Sequence, residues 1–289
     1  MSDESVIKEQ LDQAAEESDL IEESEPLEEE DTELKIETVE SGDTVESKSV
    51  GKIIVPDGFY FKIEEHTGVF DPDRVKFLEY SESGVGKTVF ASTWPRPIYA
   101  DVDDGMSSIS RRVGRVRIKN ALTMESMLTY LEGKGHPFKT LVIDSLNELQ
   151  YYILRGVIKN YPKVRRAYGD LPGQSDYGKQ LDDFEQLVRR AKALPINVVF
   201  IANASVKVYE TDLVGIQLTG RNMPNVIMRM MDIVGYLYKV QEGEGSNDRV
   251  MIFDSVNYVT KDRSGVLPAM IKNPTYAMLK RYFDKRQKG

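Results

Sequence analysis

Ser81-Glu82-Ser83-Gly84-Val85-Gly86-Lys87-Thr88 lies between a β-type run, Val75–Tyr80, and a segment, Lys87–Thr93, that can open a helix. Strand, glycine-rich turn, lysine, hydroxyl and helix is the order that a phosphate-binding loop requires. Small residues allow consecutive backbone N–H groups to turn inward around an anion, and the start of the helix adds its dipole. In this reading Ser81, Glu82, Ser83, Gly84, Val85, Gly86, Lys87 and Thr88 all contact a nucleotide. Lys87 reaches the β- and γ-phosphates, and the Thr88 hydroxyl ligates Mg²⁺. The first position of G-x-x-x-x-G-K-[ST] is Ser81 instead of glycine. The plainer alternative is a glycine-rich turn that happens to be followed by a lysine.

Outward from this loop the pattern alternates strand and helix, which predicts an α/β fold with a mainly parallel sheet flanked by helices. Pro97–Asp101, Arg115–Ile118, Thr140–Asp144 and Asn197–Ala202 read as strands. Thr123–Glu132, Leu146–Lys159 and Tyr177–Leu194 read as helices, the last with Leu181, Phe184, Leu187, Val188, Ala191 and Leu194 on one face. Ile233–Val240 and Arg249–Phe253, turned by Glu242–Asp248, read as a C-terminal β-meander, and Pro274–Phe283 as a closing helix.

Three strand ends carry polar residues suited to nucleotide chemistry. Thr140–Asp144 ends in Asp144, a carboxylate fit to support Mg²⁺, although such residues also cap helices. Asp103 and Asp104 follow Pro97–Asp101; they suit either catalysis or the capping of a helix starting near Gly105. Asn203 ends the strand that starts at Asn197, where an amide also suits a turn. Further on, Arg155, Lys159, Lys163, Arg165 and Arg166 are interleaved with Tyr161 and Tyr168, with no acid between Arg155 and Tyr168. Cations with aromatic faces are what a single nucleic-acid strand needs, and a solvated basic surface is the plain alternative. Tyr161–Asp176, rich in Pro and Gly, is predicted to be a long loop, and Lys207–Arg221 a second, weaker one.

In this order the elements resemble the RecA-like nucleotide-binding proteins, specifically the phage-encoded Sak single-strand annealing group, over roughly residues 75–285. The segment Gln174-Ser175-Asp176-Tyr177-Gly178 before the amphipathic helix is also similar to that group. The resemblance implies a RecA-like P-loop NTPase core that uses ATP and Mg²⁺ and binds single-stranded DNA in phage recombination. It implies that Asp103 orients the attacking water, with Asp in place of the commoner Glu, and that Asn203 senses the γ-phosphate. Lys261-Asp262-Arg263-Ser264-Gly265 resembles the K-x-R-x-G element whose cations enter a neighbouring subunit's site. Carried over to Lys261 and Arg263, it implies a homo-oligomer, ring or filament; the plain reading is an exposed hairpin turn. A single-strand-binding protein is a further partner to expect. Ser81 and Asp103 bear on the rate of hydrolysis. Two other classes stand beside this reading: an ATPase acting on a protein, such as a helicase loader or motor, and a non-hydrolysing nucleotide-binding scaffold.

Charge divides the 289 residues. The net is −9, yet residues 1–50 hold 19 acids and 3 bases, leaving 28 acids and 35 bases in residues 51–289. Residues 1–50, with no aromatic side chain, are predicted to be a disordered acidic tail, with a marginal helix near Val6–Ala15 and order beginning near Gly51. The tail reads as a solvating leader or as an electrostatic mimic of nucleic acid. Residues 51–289 read as the ATPase domain. With no cysteine and only His66 and His136, disulfide frameworks, zinc fingers and iron–sulfur clusters are excluded. The longest apolar stretch, near Ile196–Ala202, is far short of a membrane span, and no secretory signal is visible, so a cytoplasmic location is expected, in the host cell if the chain is phage-encoded.

Overall fold

The computed structural model describes residues 70–160, 171–205, 213–240 and 248–286. The acidic tail, its Val6–Ala15 helix and the boundary near Gly51 lie outside the described residues. So do Tyr161, Lys163, Arg165, Arg166 and Tyr168, all of Lys207–Asp212, and residues 242–247 of the Glu242–Asp248 turn.

In chain order the elements are β1 (Lys76–Ser81), α1 (Lys87–Ala91), β2 (Pro97–Asp101), β3 (Gly114–Arg117), α2 (Ala121–Glu132), β4 (Thr140–Asp144), α3 (Leu146–Asn160), α4 (Gln174–Ala193), β5 (Asn197–Ser205), β6 (Gly215–Ile216), α5 (Met223–Met230), β7 (Ile233–Val240), β8 (Asp248–Ile252), β9 (Lys261–Asp262), β10 (Met270–Lys272) and α6 (Tyr276–Arg286). The main path of the sheet runs β10-β8-β7-β1-β5-β4-β2-β3, with β6 added to β5 and β9 to β7. From β7 through β1, β5, β4 and β2 to β3 every neighbouring pair is parallel, whereas β7–β8 and β8–β10 are antiparallel. This is the expected α/β P-loop fold, closed at one edge by the meander.

Strand alternation loads both faces with apolar side chains, as a parallel sheet covered on both sides demands. Leu78, Leu141, Ile143, Val198 and Phe200 meet Leu128 of α2, Leu149 and Ile153 of α3, Phe184 and Val188 of α4 and Ile227 of α5. On the opposite face Phe77, Val142, Val199 and Ile201 meet Phe90 of α1, Trp94, and Leu279 and Phe283 of α6.

Local chemistry sets the helix ends. Asn120 caps α2, its Oδ1 accepting from Thr123 N at 2.9 Å. Met124, Met127, Leu128 and Leu131 then recur at helical spacing and are buried, each burial stabilising by about 1.5–3 kcal/mol. Helix α4 starts three residues earlier than its apolar stripe suggests. The Asp176 carboxylate accepts from Gly173 N at 2.9 Å and closes the first turn. Gln174–Asp176 therefore belong to a helix, a correction to the loop predicted over Tyr161–Asp176. At the other end of α4, buried Lys76 donates from Nζ to Leu194 O (2.8 Å) and Ile196 O (2.6 Å); burial brings its pKa down to about 8. The segment after Gly105 forms only a short 3₁₀ turn, Met106–Ser108, with no side-chain cap. Asp104 instead pairs with Arg115 and Arg117, which corrects the capping alternative for Asp104, whereas the Asp103 carboxylate accepts from the Gly105 backbone.

The chain leaves β1 for β2, three places away in the sheet, and later returns to the other side of β1 at β7. Such a reversal opens a crevice outside the carboxyl ends of the strands, the usual ligand position in open α/β sheets.

Candidate functional site

The loop Ser81–Thr88 occupies that crevice. Ser81 is the last residue of β1 and is buried. Positive φ angles within the loop fall only at Gly84 (80°) and Gly86 (114°), so the loop requires glycine at those two positions and not at Ser81. Ser81 adds an oxygen instead. Lys87 Nζ donates to Ser81 O (3.0 Å), Glu82 O (2.9 Å), Ser81 Oγ (3.3 Å) and Asn203 Oδ1 (3.2 Å).

Neighbouring strands deliver the rest. Ser81 stands opposite Asn203 across β1–β5, and Asp101 opposite Asp144 across β2–β4. Thr88 Oγ1 donates to Asp144 Oδ2 at 2.7 Å, and Tyr99 Oη donates to Thr88 O at 2.9 Å, fixing the first turn of α1 to β2. The peptide between Asp144 and Ser145 is cis. Burial pushes the Asp144 carboxyl up to about 6, with the Thr88 hydrogen bond opposing. Burial lowers the Lys87 pKa, against the attraction of Glu79, Asp144 and Asp103.

The two aspartates at the end of β2 differ. Asp101 is buried and paired with Arg115, whose Nε donates to Oδ2 at 2.6 Å. Asp103 is exposed at the rim. Partial desolvation, with the charge of Asp101, raises its pKa, while Lys87 lowers it. Lys87, Thr88, Asp144, Asn203 and Asp103 are thus gathered at one edge of the sheet.

The donor set fits a nucleotide with a divalent cation. A glycine-based loop with a lysine suits polyphosphate, and a hydroxyl next to a carboxylate suits a hard ion. Among the described residues no group of three His, Cys, Asp or Glu side chains is placed to hold a metal. An ion here would draw its remaining ligands from phosphate and water, as Mg²⁺ commonly does.

Lys261 and Arg263 lie elsewhere. Strand β9 pairs with the start of β7, and Arg263 N donates to Asp232 O. This is the amino edge of the sheet, opposite the loop. Lys261 Nζ donates to Arg229 O (2.8 Å) and Met231 O (2.6 Å) at the end of α5, and Arg263 approaches Asp232 at 3.4 Å. A chain therefore does not bring these cations to its own loop.

Arg155 and Lys159 are exposed on α3. Tyr151, 53% exposed, precedes Arg155 by four residues and so shares their stripe. The sequence reading missed it; the i, i+4, i+8 spacing was its available signal. Also missed were Glu79, buried in β1 near Lys87 and Asp144, and Arg249, which touches the loop from β8. Neither has a signal in the local sequence.

A family model described as an AAA domain matches residues 73–264. Among solved structures, a DnaB-like replicative helicase described with its interactions with primase aligns at 13% identity and a TM-score of 0.41, over 69% of this chain and 56% of that one. The chain thus spans little more than half of that helicase. A separately solved ATPase domain aligns at 13% identity and 0.42, over 69% and 81%. A KaiC-like protein from the archaeon Pyrococcus horikoshii aligns at 14% and 0.36, over 62% and 79%. No curated protein matches the chain.

Proposed function

We propose, since the chain belongs to the AAA domain family, that it binds ATP with Mg²⁺, hydrolyses it, and couples the cycle to single-stranded DNA in recombination or strand annealing. The observation that carries the reading is the convergence of Lys87, the Thr88–Asp144 pair, Asn203 and Asp103 at the carboxyl ends of β1, β4, β5 and β2.

The N–H groups of Gly84–Thr88 and the Lys87 ammonium hold the phosphates. Thr88 and Asp144 would hold Mg²⁺, which neutralises phosphate charge when bound. Asp103 orients the attacking water, and Asn203 responds to the terminal phosphate. Tyr151, Arg155 and Lys159, continued by Tyr161, Lys163, Arg165, Arg166 and Tyr168, offer stacking and phosphate neutralisation to a single strand. Lys261 and Arg263 act on a neighbouring copy's site, so the working unit is a homo-oligomer. The likeness to phage-encoded Sak proteins makes phage recombination the setting, with a single-strand-binding protein as a further partner.

One observation favours a second reading, a nucleotide-binding scaffold with little turnover. Arg115 neutralises Asp101, leaving the shorter-armed, exposed Asp103 as the water-orienting group. Measuring ATP turnover with and without single-stranded DNA, with Lys87→Ala as the blank, separates the readings. DNA-stimulated turnover that the substitution abolishes is expected. Turnover indifferent to DNA points to an ATPase acting on a protein, and binding without turnover to the scaffold.

A further inference from the structure

A side chain from near the end of the chain rests on the phosphate loop. Arg249, the second residue of β8, donates from Nε to Val85 O at 2.6 Å. A Cβ placed on Gly86 would lie 2.5 Å from Arg249 Nε, 3.2 Å from Cζ and 3.3 Å from Cδ. The guanidinium stem thus lies where a Cβ at position 86 would stand, packed on a glycine whose φ of 114° already requires that residue.

The arginine is well anchored. Its backbone stands opposite Lys239 of β7. On the other side Arg249 N donates to Asn273 Oδ1 (3.0 Å), Asn273 N donates to Arg249 O (2.6 Å), and Asn273 Nδ2 donates to Asp248 Oδ1 (2.8 Å). The side chain therefore leaves a strand position fixed on both edges.

Val85 C=O and Gly86 N–H belong to one planar trans peptide unit, so they point in opposite directions. A donor that holds the carbonyl on the outer side of the loop holds the N–H on the inner side. Because the donor is a cation, the bond is stronger than a neutral one and polarises the peptide toward better donation. We infer that Arg249 is a positioning residue of the nucleotide site. Acting within its own chain, it presets the Val85–Gly86 peptide so that the Gly86 N–H faces the phosphates. This rests on the reading of Ser81–Thr88 as a nucleotide cradle and adds a residue from the meander that the loop motif does not contain.

A preset loop serves any nucleotide whose phosphates enter it, so triphosphate and diphosphate must be affected alike. The test is titration of the full chain with fluorescent ATP and ADP analogues, for wild type, Arg249→Ala and Arg249→Lys, alongside denaturation midpoints without nucleotide. Arg249→Ala is expected to weaken both nucleotides by the same factor, about tenfold or more. Arg249→Lys, still a cationic donor, recovers part of that loss, and the midpoints stay close together. Loss for ATP alone would make Arg249 a γ-phosphate contact and overturn the inference. Unchanged affinities would overturn it too, as would a loss that Lys does not rescue and that follows a fallen midpoint. A wild-type chain that binds neither nucleotide overturns the underlying reading of the cradle, a different failure from these.

Discussion

Glu79 sits in the middle of β1, fully buried, with no hydrogen-bond partner for either carboxylate oxygen among the described residues. Burial drives its pKa well above the ordinary 4.5; the charge of Asp144 adds to the shift and Lys87 opposes it. Above pH 4.5 the unfolded chain has released this proton while the native chain keeps it, so the native state binds more protons. Stability from this group is therefore lost as pH rises from 4.5 toward the native pKa. Glu79→Gln keeps the shape and is neutral at every pH. Its denaturation midpoint relative to wild type should rise between pH 5 and pH 8; a constant gap would mean that Glu79 is ionised in the fold. The same residue marks the limit of sequence reading. Lys87, Thr88 and Asp144 stand in the sequence as residues that end or follow an apolar strand; Asn203 was placed at a strand end too, although β5 runs on through it to Ser205. Glu79 looks like an ordinary charge in a short strand until β5 and β7 enclose it. Arg249 meets a loop 164 residues away in sequence, a pairing only the meander creates.

At the scale of elements, strands β2, β4 and β7 were legible to the residue because continuous apolar runs ended at charged or turn residues. Helix α5 and strands β6, β9 and β10 were not read. Each strand has only two or three residues, defined by a partner and not by a pattern of its own. What those elements reveal is a connection between α3 and the segment after β5. Asn147 Oδ1 accepts from Asn203 N at 2.9 Å, and its Nδ2 donates to Gln217 O. Gln150 Oε1 accepts from Thr219 N (2.7 Å) and its Nε2 donates to Thr219 O (2.9 Å), copying a strand partner. The helix that follows Asp144 thus holds the segment predicted as a second loop, which argues that the two move together. Gln150→Leu removes both bonds, each contributing about 0.5–1.5 kcal/mol to stability. Basal ATP turnover should persist while stimulation by single-stranded DNA falls. Stimulation at the wild-type level would show that this clamp carries no signal, and denaturant titration measures the stability cost.

Across the whole molecule, the two candidate sources of catalytic cations occupy opposite edges of the sheet. Lys261 stands beside Val234, which pairs with Leu78, and Arg263 N reaches Asp232, whose own N donates to Lys76 O. The phosphate loop begins at Ser81, so Arg263 is separated from it by the length of β1, about 15 Å or more. Either these cations serve only α5, whose C-terminal carbonyls they cap, or they face the loop of another copy. Capping alone accounts for about 0.3–1 kcal/mol, and Arg263→Ala would then leave turnover nearly unchanged. Action in trans predicts a complementation that capping cannot produce. Lys87→Ala lacks a working loop and Arg263→Ala lacks the donated cation, so each is inactive alone. Mixed in equal amounts and allowed to exchange subunits, about one interface in four pairs an intact loop with an intact Arg263 in a cyclic or filamentous assembly. Turnover should then rise from the two blanks toward about a quarter of the wild-type rate. A mixture as inactive as its components, with co-assembly verified by light scattering, would confine Lys261 and Arg263 to holding α5 in place.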